Sequence, residues 1–442
     1  MSAKGGPYQY DQATNFGSLA IISQRFHLGP ICLGYRTSML LSSNKHLVFI
    51  LCMSVSALVP QSSGGTTFFV ERDGGGDFTV IQHAVNAAAS GDTIRIGPGR
   101  FDEQSWVTSP GWSDSVRVLV TQEELTIIGS GPETIIGQEL PWESGQGAHK
   151  GIVASDWWGN FIVRIENIRF ENMRDAIYTG YEFEDNCVLE VRGCTFSRNY
   201  DSLTLLGTNG TAEILDCTFD YLATNGTHLV AWGQDEMIIS GCVFRMVDNI
   251  YGQGAVNLNG VNNSSVTSCE FYSGSVGVSS SFGSPLVIND CLFDGQGLVA
   301  VYPGDIVVAT LERCTFRNQK YALQSPTWSN QITMTSSVVE SVSDCSLFLS
   351  HTGNLSIQNC DLAKGDIGVV WVLDRAPCDH TGVLDMTNNY WGTDNPDSIR
   401  AWIWDSNDSE DACYSVDFEP FESESTPTEK QSLGGFRAMF RR

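Results

Sequence analysis

Short stretches of alternating apolar and polar residues recur through the middle of the chain, and many end in one phrase: apolar, any residue, a turn-former, Cys, any residue, Phe. It reads VRGCTF at Val191–Phe196, LDCTF at Leu215–Phe219, SGCVF at Ser240–Phe244 and TSCEF at Thr267–Phe271. It returns as NDCLF at Asn289–Phe293, ERCTF at Glu312–Phe316 and QNCDL at Gln358–Leu362, with Cys-free variants at Ile165–Phe170, Met334–Val339 and Met386–Trp391. Successive Cys-equivalent positions lie 22 to 29 residues apart. The two-residue alternation predicts strands, and the lack of a 3.6-residue period or a Leu ladder argues against helical and leucine-rich repeats of similar length. Strands this short bury their apolar face only by stacking on the next repeat.

The residue before the Cys position is Asn167, Gly193, Asp216, Gly241, Ser268, Asp290, Ser336, Asn359 or Asn388, with Arg313 the exception. Most of these types tolerate a left-handed backbone, so a sharp bend is expected there in every repeat. Coils then stack as hydrogen-bonded parallel strands, roughly 4.8 Å apart. In that register Arg164 falls beside Glu190 and Glu166 beside Arg192 on the outer face. Cys194, Cys217, Cys242, Cys269, Cys291, Cys314 and Cys360 occupy one repeat position and are expected as an internal ladder of small apolar groups. Cys345, 23 residues after Ala322, is expected as another small core residue.

Ahead of the repeats, Phe78, Ile81, Ala84, Val85 and Ala88 have the spacing of a one-faced helix, with Asp77 or Thr79 as its cap and Gly91 past its end. The run GDFTVIQHAVNAAASGDTIRIGPGRFDE at Gly76–Glu103 resembles the opening module of the pectin-lyase-like right-handed β-helix superfamily. The resemblance implies an all-β fold: a single right-handed parallel β-helix over residues 64–420, of roughly 11–13 coils, with capping helices near 79–89 and 396–404. At the far end Asn395 or Asp394 caps a helix begun by Pro396, with Ile399, Trp402 and Ile403 on one face and a last strand at Val416–Phe418. The same opening precedes lyases, esterases, epimerases and non-enzymes, so it speaks for fold rather than function.

The ends of the chain suggest export. A basic flank at Lys45-His46, an apolar run over 47–59 and a small-residue exit describe a signal peptide within an N-terminal extension, residues 1–63. The run is too short for a membrane span, so no transmembrane segment is expected in the mature chain. Residues 421–442 form a polar tail ending in SLGGFRAMFRR, a candidate sorting or attachment signal. Secretion or display at the cell surface follows as the expected location, and a monomer as the expected state.

The formal charge of −26, from 51 acidic and 25 basic residues, argues against nucleic-acid partners. Cys378 and Cys413 flank the last coil and fall outside the ladder, so they are the disulfide candidates. The acidic loop Asp405, Asn407, Asp408, Glu410 and Asp411 offers oxygen ligands at a density suited to Ca2+, though without an EF-hand pattern.

The resemblance invites catalysis on polysaccharide, but the phrases it implies for pectin methylesterases, polygalacturonases and alginate epimerases are absent. Arg174, Arg198, Arg245 and Lys320 stand without a recognisable arrangement around them. A binding face is easier to motivate. Trp232, Phe282, Trp328 and His351 lie 13 to 15 residues after their coil's marker, which puts them on one edge of a solenoid, with Asn257 and Asn259 beside them. Aromatic faces pack against sugar C–H groups, and amides hydrogen-bond hydroxyls. The expectation is therefore non-catalytic adhesion to an extracellular polysaccharide or surface glycan. The alternative is a diverged polysaccharide lyase or glycosidase acting along the same groove. A close cluster of Asp/Glu with Arg/Lys across three adjacent coils favours the enzyme; an aromatic and amide ridge without one favours the binder.

Overall fold

A computed structural model describes residues 65–109, 112–143, 149–154, 161–179, 187–207, 210–222, 226–247, 254–283, 285–326, 330–350, 354–373 and 381–425. Each alternating phrase becomes a rung of a parallel β-helix. One sheet of 14 strands takes a single strand from every coil, such as Phe161–Glu166, Cys187–Arg192, Thr211–Leu215 and Glu236–Ser240. The other sheet takes two, a three-residue strand such as Thr195–Ser197 and a longer one such as Asp201–Leu206. Pairing is parallel and in register from coil to coil, apart from the antiparallel hairpin of Ser105–Ser109 with Trp112–Val120 and the bulges where Thr315–Ser325 meets Val338–Leu349.

The bend predicted before each Cys position is present in all ten coils. Asn167, Gly193, Asp216, Gly241, Ser268, Asp290, Arg313, Ser336, Asn359 and Asn388 all have φ between +49° and +65°. Arg313 adopts a left-handed conformation that costs a non-Gly residue about 1–2 kcal/mol. Its guanidinium grips Asp290, the bend residue one coil earlier, through Nε–Oδ1 at 2.8 Å and Nη2–Oδ2 at 3.0 Å. That bidentate pair offsets part of the strain.

Inside the bends runs the thiol ladder. The seven Cys are free and none is more than 2% exposed. Each thiol turns back to its own coil, as Cys242 Sγ does to the Ser240 carbonyl at 3.4 Å. Beside it stands a column that the sequence placed inward without revealing its order. Phe170, Phe196, Phe219, Phe244, Phe271, Phe293 and Phe316 stack face to face, with centroids 4.5–5.2 Å apart and planes within 8°. Strand spacing sets this separation, which coincides with that of stacked rings.

The charge register follows the expectation: Glu190 pairs with Arg164 and Arg192 with Glu166. Arg164 bridges Glu190 at 3.2 Å and also Glu124 at 2.7 Å one coil earlier. Cys345 is fully buried, as expected, but one register step away from the position its spacing suggests. Bulges near Arg317 shift the pairing by one residue, so Cys345 lies opposite Tyr321 rather than Ala322. It belongs to a small separate cluster with Val299 and Tyr321, covered by Tyr302, Phe348 and Trp371.

The ends are closed by short helices. Helix α1 spans Ile81–Ala87, and its Ile81, Ala84 and Val85 are buried. Neither expected cap serves it: Val80 occupies the N-cap with no side-chain bond, because the Asp77 carboxylate instead accepts from the Phe69 amide at 2.9 Å. Helix α2 spans Pro396–Ala401, and Asn395 caps it by accepting from the amides of Asp397 and Ser398. Ile403 lies beyond that helix, in the two-residue strand Ile403–Trp404, and the last strand is Tyr414–Asp417. Among the described residues no helix is long and apolar enough to cross a membrane.

Candidate functional site

The longer strands of the second sheet present two outward columns. The first runs Lys150, Asp175, Asp201, Thr227, Gly254, Val276 and Val299 through paired or adjacent rungs. The second, three residues further along each strand, runs Tyr178, Thr204, Val230, Asn257, Ser279 and Tyr302. It continues beyond Gln324 as Phe348, Trp371 and Trp404. A protein that needed only a solvated face would place exposed polar residues there. Here the first column opens with charges that are almost completely buried.

Asp114, Lys150 and Asp175 are 7%, 4% and 3% exposed. Lys150 Nζ lies 3.1 Å from Asp114 Oδ2 and 3.4 Å from the centre of the Tyr178 ring. Asp175 accepts from Thr204 Oγ1 at 2.9 Å, and the Arg174 guanidinium lies 3.8 Å from it. One rung on, Asp201 accepts from the Thr227 amide at 2.8 Å. Burial pushes the Asp201 carboxyl up to about 7, the Thr227 hydrogen bond opposes the rise and the Asp175 charge adds to it. Burial likewise raises Asp175 against the pull of Lys150 and Arg174, and lowers Lys150 against the pull of Asp175 and Asp114. Tyr178 is pushed up to about 12 by burial and the nearby Asp175. Two carboxyl groups lie on adjacent rungs, Asp201 pushed up to about 7 and Asp175 beside the buried Lys150, an arrangement that can exchange protons.

The sequence did not single out these residues. Its only signal was Asp175 and Asp201 at the 26-residue repeat interval, with Lys150 a further 25 residues back. Of the four cations without an evident arrangement, Arg174 joins this cluster. Arg198 pairs with Glu171 at 2.6 Å, Arg245 with Asp220 at 2.8 Å and Lys320 with Asp344 at 3.4 Å.

The aromatic edge drawn from spacing needs correction. Trp232, 51% exposed, stands in register with Asn259 and Ser281, not with Phe282. Phe282 sits one residue later in a turn, at φ +57°, where the two preceding coils have Gly233 and Gly260. Asn257 and Asn259 share a strand, and Asn259 Nδ2 donates to Asn257 Oδ1 at 2.8 Å. Trp328 and His351 lie outside the described residues. The aromatic ridge that does form is Phe348, Trp371 and Trp404, with the two indoles stacked at 5.1 Å. Constant spacing does not reveal it, because the irregular pairing near Arg317 and the long last coils break that spacing.

The acidic loop near the C-terminus is organised around an arginine. Asp405 is fully buried and accepts from Arg400 Nη1 at 3.1 Å, Nη2 at 2.8 Å and the Val416 amide at 2.9 Å. Asp408 also reaches Arg400, and Asn407 donates its amide to Asp405 at 2.9 Å. Arg400 thus pairs with both Asp405 and Asp408 in the loop expected to offer Ca2+ ligands. Among the described residues no group of three His, Cys, Asp or Glu is disposed to hold a metal. Cys413 is disulfide-bonded; Cys378 lies outside the described residues.

Comparison with known proteins bears on the fold. The family model "Right handed beta helix region" matches residues 205–362. No curated protein matches the chain in sequence. Among solved structures, a double mutant of the tailspike protein of E. coli bacteriophage HK620 is 11% identical over 76% of each chain, with a TM-score of 0.45. The A-module of an Azotobacter vinelandii mannuronan C-5 epimerase is 11% identical over 78% of this chain and 94% of its own, with a TM-score of 0.29. The catalytic domain of a GH87 alpha-1,3-glucanase, in complex with tetrasaccharides, is 10% identical over 73% of this chain and 63% of its own, with a TM-score of 0.22. With the family match inside a ladder of parallel coils, the chain folds as a right-handed parallel β-helix.

Proposed function

We propose that this protein lays an extended extracellular glycan along the outer columns of the second sheet and hydrolyses it at Asp175 and Asp201. The observation that carries this reading is the pair of carboxyl groups on adjacent rungs, Asp201 titrating near 7 and Asp175 lying between Lys150 and Arg174. In the hydrolysis the anomeric carbon–oxygen bond breaks and the Asp201 carboxyl gives its proton to the departing oxygen. Water adds to the anomeric carbon, and the Asp175 carboxylate takes the water's proton. Burial raises Asp175 as well as Asp201, and the charges of Lys150 and Arg174 oppose the rise at Asp175, which makes it the proposed base of the pair. The two carboxyls interact, so a like-charge pair favours one protonated and one ionised member at neutral pH. Asn257, Ser279, Tyr302 and the Phe348–Trp371–Trp404 ridge give hydrogen bonds and ring faces to the rest of the strand.

The test is incubation of the full chain with a polysaccharide panel, following new reducing ends and retention on each polymer. Cleavage by the native protein with loss of at least 100-fold in kcat for Asp201→Asn and Asp175→Asn, retention unchanged, is the expected result. Retention without new reducing ends, weakened by Trp371→Ala, would leave a non-catalytic glycan binder and overturn the hydrolase.

A further inference from the structure

The corner that carries the chain from the second sheet back to the first holds two residues that its backbone does not suit. A left-handed residue makes the turn in four successive coils: Gly233 at φ +67°, Gly260 at +63°, Phe282 at +57° and Ile306 at +57°. They form one column, because each amide donates to the carbonyl just before the next member. Gly233 donates to Asn259 at 2.9 Å, Gly260 to Ser281 at 2.7 Å and Phe282 to Asp305 at 2.7 Å. Glycine makes such a turn without steric cost, whereas a β-branched side chain such as Ile is the least suited to it. Core packing is not the compensation, since Phe282 is 64% and Ile306 61% exposed. Trp232, just before Gly233, and Val308, two residues past Ile306, extend the same exposed apolar strip. Strain retained where the side chains face water points to a contact that the coils themselves do not supply.

The charges around this corner define what fits it. Asp235 and Glu236 follow the turn at Gly233, and Asp305 directly precedes Ile306. Asp235 accepts from Asn262 Nδ2 at 2.8 Å, and among the described residues none of the three carboxylates has an ion-pair partner. An apolar strip bordered by acids suits a segment that is both apolar and basic. The chain carries one. In QSLGGFRAMFRR, residues 431–442, Arg437, Arg441 and Arg442 give three positive charges with no acidic side chain, in a chain of net charge −26. Leu433, Phe436, Met439 and Phe440 recur at intervals of three and four, the spacing that gathers side chains on one helical face.

The segment can reach. Four steps of the first sheet separate Val308–Glu312 from Tyr414–Asp417, about 19 Å along the axis at roughly 4.8 Å per step. The chain leaves at the bend end of the last coil, where the Glu422 amide donates to the Asn389 carbonyl at 2.9 Å. That point lies one five-residue strand, about 17 Å, across from the corner. The combined span is about 25 Å, whereas the residues from Ser425 to Phe436 extend to about 36 Å.

We propose that residues 433–442 fold back on their own solenoid and cover the Phe282–Ile306 corner. Phe436, Met439 and Phe440 then lie on the apolar strip, and the arginines face Asp235, Glu236 and Asp305. Any receptor for the C-terminus competes with this corner for the same side chains.

Amide hydrogen exchange of the full chain, read by mass spectrometry, tests the docking. Amides of residues 433–442 are expected to exchange at least threefold more slowly than in the Phe282→Gly/Ile306→Gly variant, whose corner keeps the conformation that Gly233 and Gly260 already adopt. Arg437→Glu/Arg441→Glu, which leaves every coil untouched, is expected to remove the same protection, and added salt to reduce it. Unprotected amides in the native chain would overturn the proposal. So would protection that survives the glycine variant, since it would place the segment elsewhere on the acidic surface. Protection that grows with protein concentration would overturn it as well, by assigning the corner to the C-terminus of a second copy.

Discussion

Replacing Asp201 by Asn separates the electrostatic argument from any assay of turnover. The carboxyl moves from an ordinary value of 3.8 to about 7 on folding, because burial disfavours its charged form. Its contribution to stability is fully present below pH 3.8, declines as pH rises, and is gone once pH has passed through about 7. At about 1.4 kcal/mol for each tenfold change in proton affinity, the charged form costs the fold about 4 kcal/mol at pH 8, an upper figure for a site that relaxes or admits water. Asn keeps the oxygen that accepts from the Thr227 amide and cannot ionise. The variant should therefore match the native protein near pH 4 and melt higher than it at pH 8. Solenoids need not unfold in one step, so the comparison is of melting curves at each pH together with amide exchange in the coil of Asp201–Leu206. Asp175 is raised by burial as well and remains in both proteins, which leaves some decline with pH in each. Melting curves that fall in parallel from pH 4 to pH 8 would refute the claim that Asp201 is held neutral.

Phe244→Ala removes a fully buried ring stacked at 4.5 Å on Phe219 and 4.9 Å on Phe271; a loss of about 3–5 kcal/mol is expected, read from denaturant unfolding. The ladder thiols should resist a disulfide reagent in native buffer and all react in denaturant, since each is buried and Cys360 is pushed up to about 12 by burial; a fast-reacting ladder thiol would contradict the packing. Arg400→Ala strands the buried Asp405 carboxylate and should destabilise the C-terminal end by about 3–5 kcal/mol, measured by melting, with Arg400→Lys recovering only part because it lacks the two-pronged grip. Phe282→Gly relieves a left-handed backbone that is met by Gly in the two preceding coils; the chain should melt unchanged or slightly higher, the gain held to about 1 kcal/mol by glycine's flexibility.

The repeat was legible because its determinants are local. A turn-former with positive φ, a small buried thiol and an inward Phe carry their meaning within six residues, and the parallel register then follows from the interval alone. Even Arg313, the odd residue at a bend, was placed correctly by its neighbours. The same interval arithmetic failed where the chain changed length locally. Irregular pairing between Phe316 and Tyr321 sets Cys345 opposite Tyr321 instead of Ala322, in a small buried cluster of its own, and Phe282 falls one residue past the register of Trp232, Asn259 and Ser281.

The candidate site was decided by the tertiary structure. Asp114, Lys150, Asp175 and Asp201 come from separate coils, and as letters they are ordinary surface residues of an acidic protein. Stacking brings them together, and burial gives them their chemistry: a carboxyl that is charged in an isolated strand is held near neutrality when its rung is covered. In the same way the Asp405 loop has the composition of a cation site, and only the fold carries Arg400 into its centre. Sequence fixes which side chain faces outward on a given rung, because alternation is local. Which outward side chains lose their water, and so change their affinity for a proton, depends on what the rest of the chain lays over them.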